Sequence, residues 1–387
     1  MSFTAIIFWI LLLLLFHAYF GYGLIVFCLS HLAKRKTVAG MPVEWPGVTI
    51  VIPAYNEATV LPSKILNTLS LSYPGNIHTI VAAQGSTDGT AGLVSVYPSV
   101  QFLLNGERKG KAAAINEAMQ QVRSSIVIFS DADSLLNREA VLRMIAWYSD
   151  PHTGGVSGEK KISAAAGEAG TGERLYWQYE STIKQWESTT GSVIGAPGEL
   201  FSMRTFLFDP IPEDTLLDDF VLSAGILKKG LALKYERGAF ATESPAISLR
   251  EEAVRKWRLG AGAAQTIPRL GWWPYPGNWL NFQYYSRRII RWLIGPPALP
   301  VLLLCNILLL HAGGVYVPAF FIQVVFYIWA LVGYVACRQG TRAGWLVAPF
   351  YFVFMNVCLL AGFVGQCISP QSGAWRKARR LPLPENE

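Results

Sequence analysis

The chain has 387 residues, 52% of them hydrophobic, and a net charge of +7. That length suits one large domain or two ordinary ones, and the apolar fraction exceeds the usual soluble range, so a protein partly embedded in a membrane is expected rather than a freely soluble one. Much of the positive charge lies beside apolar runs, at Arg287, Arg288, Arg291, Arg376, Lys377, Arg379 and Arg380. This suits anionic lipid headgroups, and no interleaved basic and aromatic strand pattern points to nucleic acid.

The first element, "IIFWILLLLLFHAYFGYGLIVFCLSHL" over 6–32, is longer than the roughly 20 residues that cross a bilayer. It lacks a basic start, and Lys34, Arg35 and Lys36 follow where a signal peptide would need a cleavage site. A stop rich in positive charge places the next domain in the cytosol. All five cysteines (Cys28, Cys305, Cys337, Cys358 and Cys367) lie in or beside apolar runs. The polar middle of the chain therefore offers no thiolate zinc site or cysteine nucleophile, which fits a reducing compartment.

From about residue 47 the pattern changes to α/β. The runs "VTIVIPA" (48–54), "IHTIVAA" (77–83) and "SSIVIFS" (124–130) are continuous apolar strands separated by helical patterns. Such strands imply a mainly parallel sheet covered on both faces, with ligands at its carboxyl ends. Polar groups follow each strand: Tyr55 and Glu57 after the first, Gln84 and Asp88 after the second, Asp131 and Asp133 after the third.

Between the second and third strands, "ERKGKAAAIN" (107–116) puts Arg108, Lys109 and Lys111 at an expected helix start, where backbone N–H groups favour phosphate. A solvated basic turn is the plainer alternative. Neither a dinucleotide glycine fingerprint nor a Walker-type Gly-Lys-Ser/Thr occurs, which sets dehydrogenases and phosphate-loop NTPases aside. Two acids one residue apart suit a hard divalent ion, Mg²⁺ or Mn²⁺, that bridges carboxylate to substrate phosphate.

In this order, "TIVIPAYNEA", "GSTDGT", "ERKGKAAAIN", "SDAD", "GAPGELFSMR", "LLDDFVLSAGILKKG" and "EEAVRKWRLGAGAAQ" resemble the inverting GT-A glycosyltransferases of family 2, in their membrane-anchored polysaccharide synthase branch. The resemblance covers about residues 47–265. It implies that Tyr55, Glu57, Gln84 and Asp88 line a nucleoside pocket, that Lys111 lies near the diphosphate, that Asp131 holds the nucleotide and that Asp133 is the metal ligand. Asp219 would be the general base on the acceptor hydroxyl, although Asp218 and Asp219 also suit a helix N-terminus. Arg255, Lys256 and Arg258 would close as a mobile cationic loop over the diphosphate, with Gln265 further on. Trp257 would stack on the acceptor sugar or anchor a helix at the membrane.

Two departures stand out. Where the family usually has Asp-Asp-Gly-Ser, this chain has Ala83-Gln84-Gly85-Ser86, so an amide replaces an acid at the expected base or ribose contact. The Gln-x-x-Arg-Trp signature of processive synthases is missing, and Arg255-Lys256-Trp257-Arg258 stands in that region. Tyr176, Tyr179 and Glu180 repeat an acceptor-side pattern that equally describes one ordinary helix face.

Beyond 250, the segment "WWPYPGNWLNFQYYSRRIIRW" (272–292) has the mix of an interfacial helix, and apolar spans follow at about 293–312, 315–337 and 344–368. Three late passes would leave the basic tail outside, so either the last stretch is re-entrant or the positive-inside tendency fails. Few charges fall within the spans, which argues against an ion-coupled transporter. The expected organisation is an N-terminal helix with its basic stop (1–36), a cytosolic GT-A domain (47–250), a cationic loop with interfacial helices (251–292), membrane helices (293–368) and a basic tail (369–387). The expected function is multi-pass, cell-membrane transfer of a sugar from a nucleotide diphosphate sugar to a glycan or lipid-linked acceptor, aided by Mg²⁺ or Mn²⁺ and in contact with membrane lipids. The alternative is a catalytically silent nucleotide-binding component of a polysaccharide complex.

Overall fold

The computed structural model describes residues 2–33, 44–163, 170–272, 274–339, 344–371 and 373. The basic clusters at 34–36 and 376–380 lie outside the described residues.

Strands β1 (Val48–Ala54), β2 (Ile77–Gln84), β3 (Gln101–Asn105), β4 (Ile126–Phe129), β5 (Ser134–Leu136), β6 (Thr153–Ile162), β7 (Phe201–Arg204) and β8 (Ala232–Glu243) form one sheet in the order β3-β2-β1-β4-β7-β6-β8-β5. The β3-β2-β1-β4 half is parallel, with Val51 of β1 opposite Ile80 of β2 and Phe129 of β4. The direction reverses at β7, which runs antiparallel to both β4 and β6. The sheet is thus mixed and mostly parallel.

Strand periodicity of two explains why these strands read as unbroken apolar runs. Val51, Ile80, Ala82, Val127 and Phe129 face helix α3 (Lys111–Met119), whose Ala112, Ala114, Ile115 and Ala118 are buried in the same cluster. Ile50, Ile52, Val81, Ala83 and Ile128 face the other way, onto Leu61 and Ile65 of α2 (Leu61–Leu69) and onto α4 (Ala140–Ala146). Each fully buried Val or Ile side chain stabilises the fold by about 1.5–3 kcal/mol.

Among the described residues, four helices are long and apolar enough to cross a membrane: α1 (Phe3–Leu32), and, after α5 (Gly170–Thr190), α6 (Asp218–Lys228) and α7 (Leu249–Leu270), the helices α8 (Asn278–Ala312), α9 (Tyr316–Arg338) and α10 (Gly344–Ile368). The segment expected to be interfacial runs from Asn278 directly into the first late span as one helix. Helix α10 is an unbroken 25 residues, so the described chain has no re-entrant turn there.

The segment carrying Arg255, Lys256 and Arg258 is not a loop but the middle of α7. Ser248 caps that helix by accepting from the Glu251 N–H at 3.3 Å, and Glu251 and Glu252 in the first turn complement its dipole. Helix α7 lies directly against α10. A Cβ on Gly260 would run into the Leu359 carbonyl, and one on Gly362 into the Trp257 carbonyl, so both glycines permit close backbone approach. Gly260→Ala is expected to destabilise this contact by about 1–3 kcal/mol, read as a lower unfolding temperature in detergent.

Helix α5 is tied to α1 and α8 by buried charge. Glu180 binds Arg287 and Arg291, Glu187 accepts from Arg287 at 3.1 Å and from the Tyr22 hydroxyl at 2.5 Å, and Arg291 also donates to the Ala18 carbonyl at 2.9 Å. Burial opposes the Glu180 carboxylate, but Arg287 and Arg291 outweigh it and hold its pKa down at about 2. Glu180→Ala would strand two buried guanidinium groups and is expected to cost about 3–5 kcal/mol of stability, measured by denaturant unfolding in micelles.

Candidate active site

The carboxyl ends of β1, β2 and β4 open into a cavity of about 310 Å³. After β1, Asn56 takes a left-handed conformation (φ 51°), its side chain accepting from the Thr87 N–H at 2.8 Å and its N–H donating to Ser86 Oγ at 3.1 Å. Asp88 accepts from the Ala58 N–H at 2.8 Å and from Thr90 Oγ1 at 2.6 Å. Asp88 therefore fastens the two strand-end loops together, whereas Tyr55, Glu57 and Gln84 line the cavity itself. At Gly85 (φ 63°) the chain passes so close to Arg108 that a Cβ would sit 2.6 Å from the arginine's own. Arg108 in turn stacks over the Tyr55 ring, 3.9 Å from its centroid.

Gln84 donates from Nε2 to Glu117 at 2.8 Å, and its buried Oε1 has no partner among the described residues. An amide thus holds the position where the resembling family has an acid, with one acceptor still available to a ligand.

The centre of the site is a meeting of three elements. Gly110, at φ 103°, starts α3 and sends Lys111 inward. Its Nζ lies 2.8 Å from Asp131 Oδ1 after β4 and 3.1 Å from Asp218 Oδ2 at the start of α6. A Cβ on Gly198, in the loop before β7, would lie 3.0 Å from Lys111 Nζ, 3.4 Å from Asp131 Oδ2 and 3.6 Å from Asp219 Oδ2. These groups therefore surround one small space, which only a side chain as small as glycine's leaves open. Burial opposes the Lys111 charge, but Asp131, Asp218 and Asp219 outweigh it and hold its pKa above the usual lysine range. Burial and the neighbouring Asp218 raise Asp219 to about 6. Asp133 lines the same cavity.

Sequence reasoning passed over Lys64. It is fully buried in α2, donating to Ser130 Oγ at 2.6 Å and to the Ser134 carbonyl at 2.7 Å, so it braces the backbone that carries Asp131 and Asp133. Burial lowers it to about 7, against the opposing pull of the two aspartates. The available signal was its phase: Lys64 shares a helix face with Leu61, Ile65 and Thr68, where an apolar residue belongs.

Of the α7 residues, Arg255, Lys256 and Arg258 line the cavity. Arg255 is held by Glu173 at 2.5 Å and Glu252 at 2.9 Å, and Lys256 sits 4.6 Å from the Tyr176 ring centroid. Trp257 points elsewhere, its indole lying against Gly365 of α10, which makes it a packing contact between helices rather than a stacking platform. Gln265 accepts from the Leu216 N–H at 2.9 Å and donates to the Asp214 carbonyl at 2.8 Å, bracing the loop that leads to Asp218. The remaining wall includes Tyr176, Trp177, Glu180 and Lys184 of α5, Arg288 and Trp292 of α8, and Lys160, Glu199 and Glu243.

The fold and cavity define an α/β domain with a polar cleft at the carboxyl ends of its parallel strands, joined to helices long enough to span a membrane. Residues 49–210 match the family model "Glycosyl transferase family 2". The chain is 27% identical over 203 residues to the poly-beta-1,6-N-acetyl-D-glucosamine synthase of Staphylococcus aureus, covering 50% of this chain and 48% of the relative. It is 26% identical over 196 residues to the beta-monoglucosyldiacylglycerol synthase of Synechocystis, covering 47% and 40%. The chain thus spans about half the length of these curated relatives or less. Its fold is that of a mannosyltransferase from Pyrobaculum calidifontis, solved with GDP-Man and Mn²⁺, with a TM-score of 0.70 at 24% identity over 92% of this chain and 99% of the other.

Proposed function

We propose that this protein is a membrane-bound inverting glycosyltransferase that moves a sugar from a nucleoside diphosphate donor to an acceptor hydroxyl. The observation that carries the reading is the convergence of Lys111, Asp131 and Asp219 around Gly198. Tyr55, Glu57 and Gln84 bind the nucleoside, and Asp88 keeps their loops in place. Lys111, with Arg255, Lys256 and Arg258 from α7, faces the diphosphate. Asp219, buried and raised to about 6, is an ionised base at neutral pH that is still basic enough to take the acceptor proton as the hydroxyl attacks.

The donor set suits a hard divalent ion. Among the described residues no group of three His, Cys, Asp or Glu side chains forms a closed cage. Mg²⁺ and Mn²⁺ do not require one, since they bind through one or two carboxylates plus substrate phosphates. The family resemblance assigns Asp133, which lines the same cavity, as the principal ligand, and Asp131, one oxygen of which pairs with Lys111, faces the nucleotide. When bound, the ion supplies positive charge against the departing diphosphate.

The helices support a multi-pass membrane protein, and we assign the division into N-terminal helix (1–36), cytosolic catalytic domain (47–250), α7 with the entry to α8 (251–292), membrane helices (293–368) and tail (369–387). The test is a radiolabelled nucleotide-sugar assay in membranes, across several donors, with and without Mn²⁺ or Mg²⁺. Donor-dependent labelling of lipid or glycan is expected. Binding of nucleotide without any transfer would favour a silent component instead.

A further inference from the structure

We propose that the cavity wall contributed by α5 and α8 is an anion-accepting subsite, built by Lys184 with Trp177 and Arg288, so that the acceptor carries a phosphate or carboxylate besides the hydroxyl that is glycosylated. This rests on reading the cavity as a glycosyltransferase site.

Lys184 is only 6% exposed and lines the cavity. Among the described residues it has neither a hydrogen bond nor an ion pair. Its ammonium instead lies 6.0 Å from the Trp177 ring centroid and 5.7 Å from that of Tyr235. A buried ammonium without a hydrogen bond or ion pair is costly, and burial lowers this one to about 8 against the attraction of Glu180.

The carboxylates on its own helix attract it without pairing to it, and their hydrogen-bonded oxygens are engaged by other groups, while Glu187 Oε2 has no hydrogen-bond partner among the described residues. Glu180 is engaged by Arg287 and Arg291, and Glu187 by Arg287 and Tyr22. Other cations of the cavity have their own acids: Lys111 has Asp131 and Asp218, Lys160 has Glu199 and Glu243, and Arg255 has Glu173 and Glu252.

The same wall holds two further idle donors. Trp177 Nε1 and Arg288 Nε are buried without a hydrogen-bond partner among the described residues. Arg288 is fixed by donating from Nη2 to the Ile194 carbonyl at 2.6 Å and by stacking 4.8 Å from the Phe220 ring centroid and 4.7 Å from that of Trp292. Phe220 follows Asp219 directly, so the arginine adjoins the proposed base. Trp177 and Lys184 lie seven residues apart on α5 and so project from one face. A wall with several idle donors is complementary to an oxyanion, and the charge of an oxyanion compensates the buried ammonium where a neutral hydroxyl does not.

Full-length protein in neutral detergent, with UDP or GDP present, is titrated with octyl phosphate, octyl glucuronide and octyl glucoside. At least one anionic amphiphile is expected to bind about ten-fold or more tightly than the glucoside. The phosphate and glucuronide arms separate a lipid phosphate from an acidic sugar. Lys184→Met is expected to abolish the preference and Lys184→Arg to keep it, whereas a purely structural lysine would leave the ratio unmoved. Equal binding of all three amphiphiles by the wild type, or a preference surviving in Lys184→Met, overturns the proposal. Nucleoside diphosphate binding is read on the same samples. Its absence in the wild type counts against the glycosyltransferase reading alone, and its loss only in Lys184→Met marks a folding defect, in which case Lys184→Gln decides.

Discussion

Asp219→Asn is expected to lower sugar transfer by about 10²–10⁴-fold while leaving the protein folded, membrane-inserted and able to bind nucleoside diphosphate. The amide preserves the shape and the hydrogen bond that Asp219 Oδ1 accepts from the Phe220 N–H at 2.7 Å, but it cannot take a proton. The loss should therefore fall on kcat, with little change in donor affinity. The pH profile provides a second readout. Because burial and Asp218 raise Asp219 to about 6, transfer should be full above that pH and fall about ten-fold per unit below it, as the base becomes protonated. An acid limb lying near the ordinary aspartate value would remove Asp219 from this role. The limb belongs to the interacting carboxylates as a set, so Asp218→Asn should move it downward by removing the adjacent negative charge.

Asp133→Asn is expected to remove metal stimulation. If Asp133 is the principal ligand, its loss withdraws charge stabilisation of the leaving diphosphate worth about 3–4 kcal/mol, a factor of about 10²–10³ in kcat/KM. Isothermal titration of nucleoside diphosphate with and without Mn²⁺ checks the same point independently of turnover. The wild type should bind more tightly with the ion and Asp133→Asn should not. Asp131→Asn should behave differently, because Asp131 is paired with Lys111 at 2.8 Å. Its loss weakens nucleotide binding even without metal.

The parallel half of the sheet was legible because fully buried strands leave unbroken β-branched runs, and "VTIVIPA" and "SSIVIFS" differ from the strands found by a few residues at most. The second half was not. β6 contains Gly154, Gly155 and Gly158, and β8 alternates apolar with charged residues, so neither carries that signal. At those three positions a Cβ would strike Ile226 or Leu200, so packing rather than propensity selects glycine.

In the site, the residues after β1, β2 and β4 were legible because loops at strand ends follow their strands. What the sequence could not show was direction. Arg255, Trp257 and Arg258 lie within a few residues of one another, but the helical turn sends two toward the cavity and Trp257 toward α10. A cluster of glycines and cations reads as a mobile loop, yet Gly260 is there so that helices α7 and α10 can touch. Lys64 and the Glu180–Arg287–Arg291 network were hidden for a related reason: the partners lie on different elements, more than 60 residues apart in the chain.

The most direct test compares wild-type and Asp219→Asn membranes for transfer of radiolabel from nucleoside diphosphate sugars in the presence of Mn²⁺ or Mg²⁺. The wild type should label a lipid or glycan product with at least one donor, and Asp219→Asn should bind nucleotide normally yet label nothing above background. Equal labelling by both, or no transfer from any donor by wild-type protein that binds nucleotide, would contradict the assignment of this cavity as a glycosyltransferase active site.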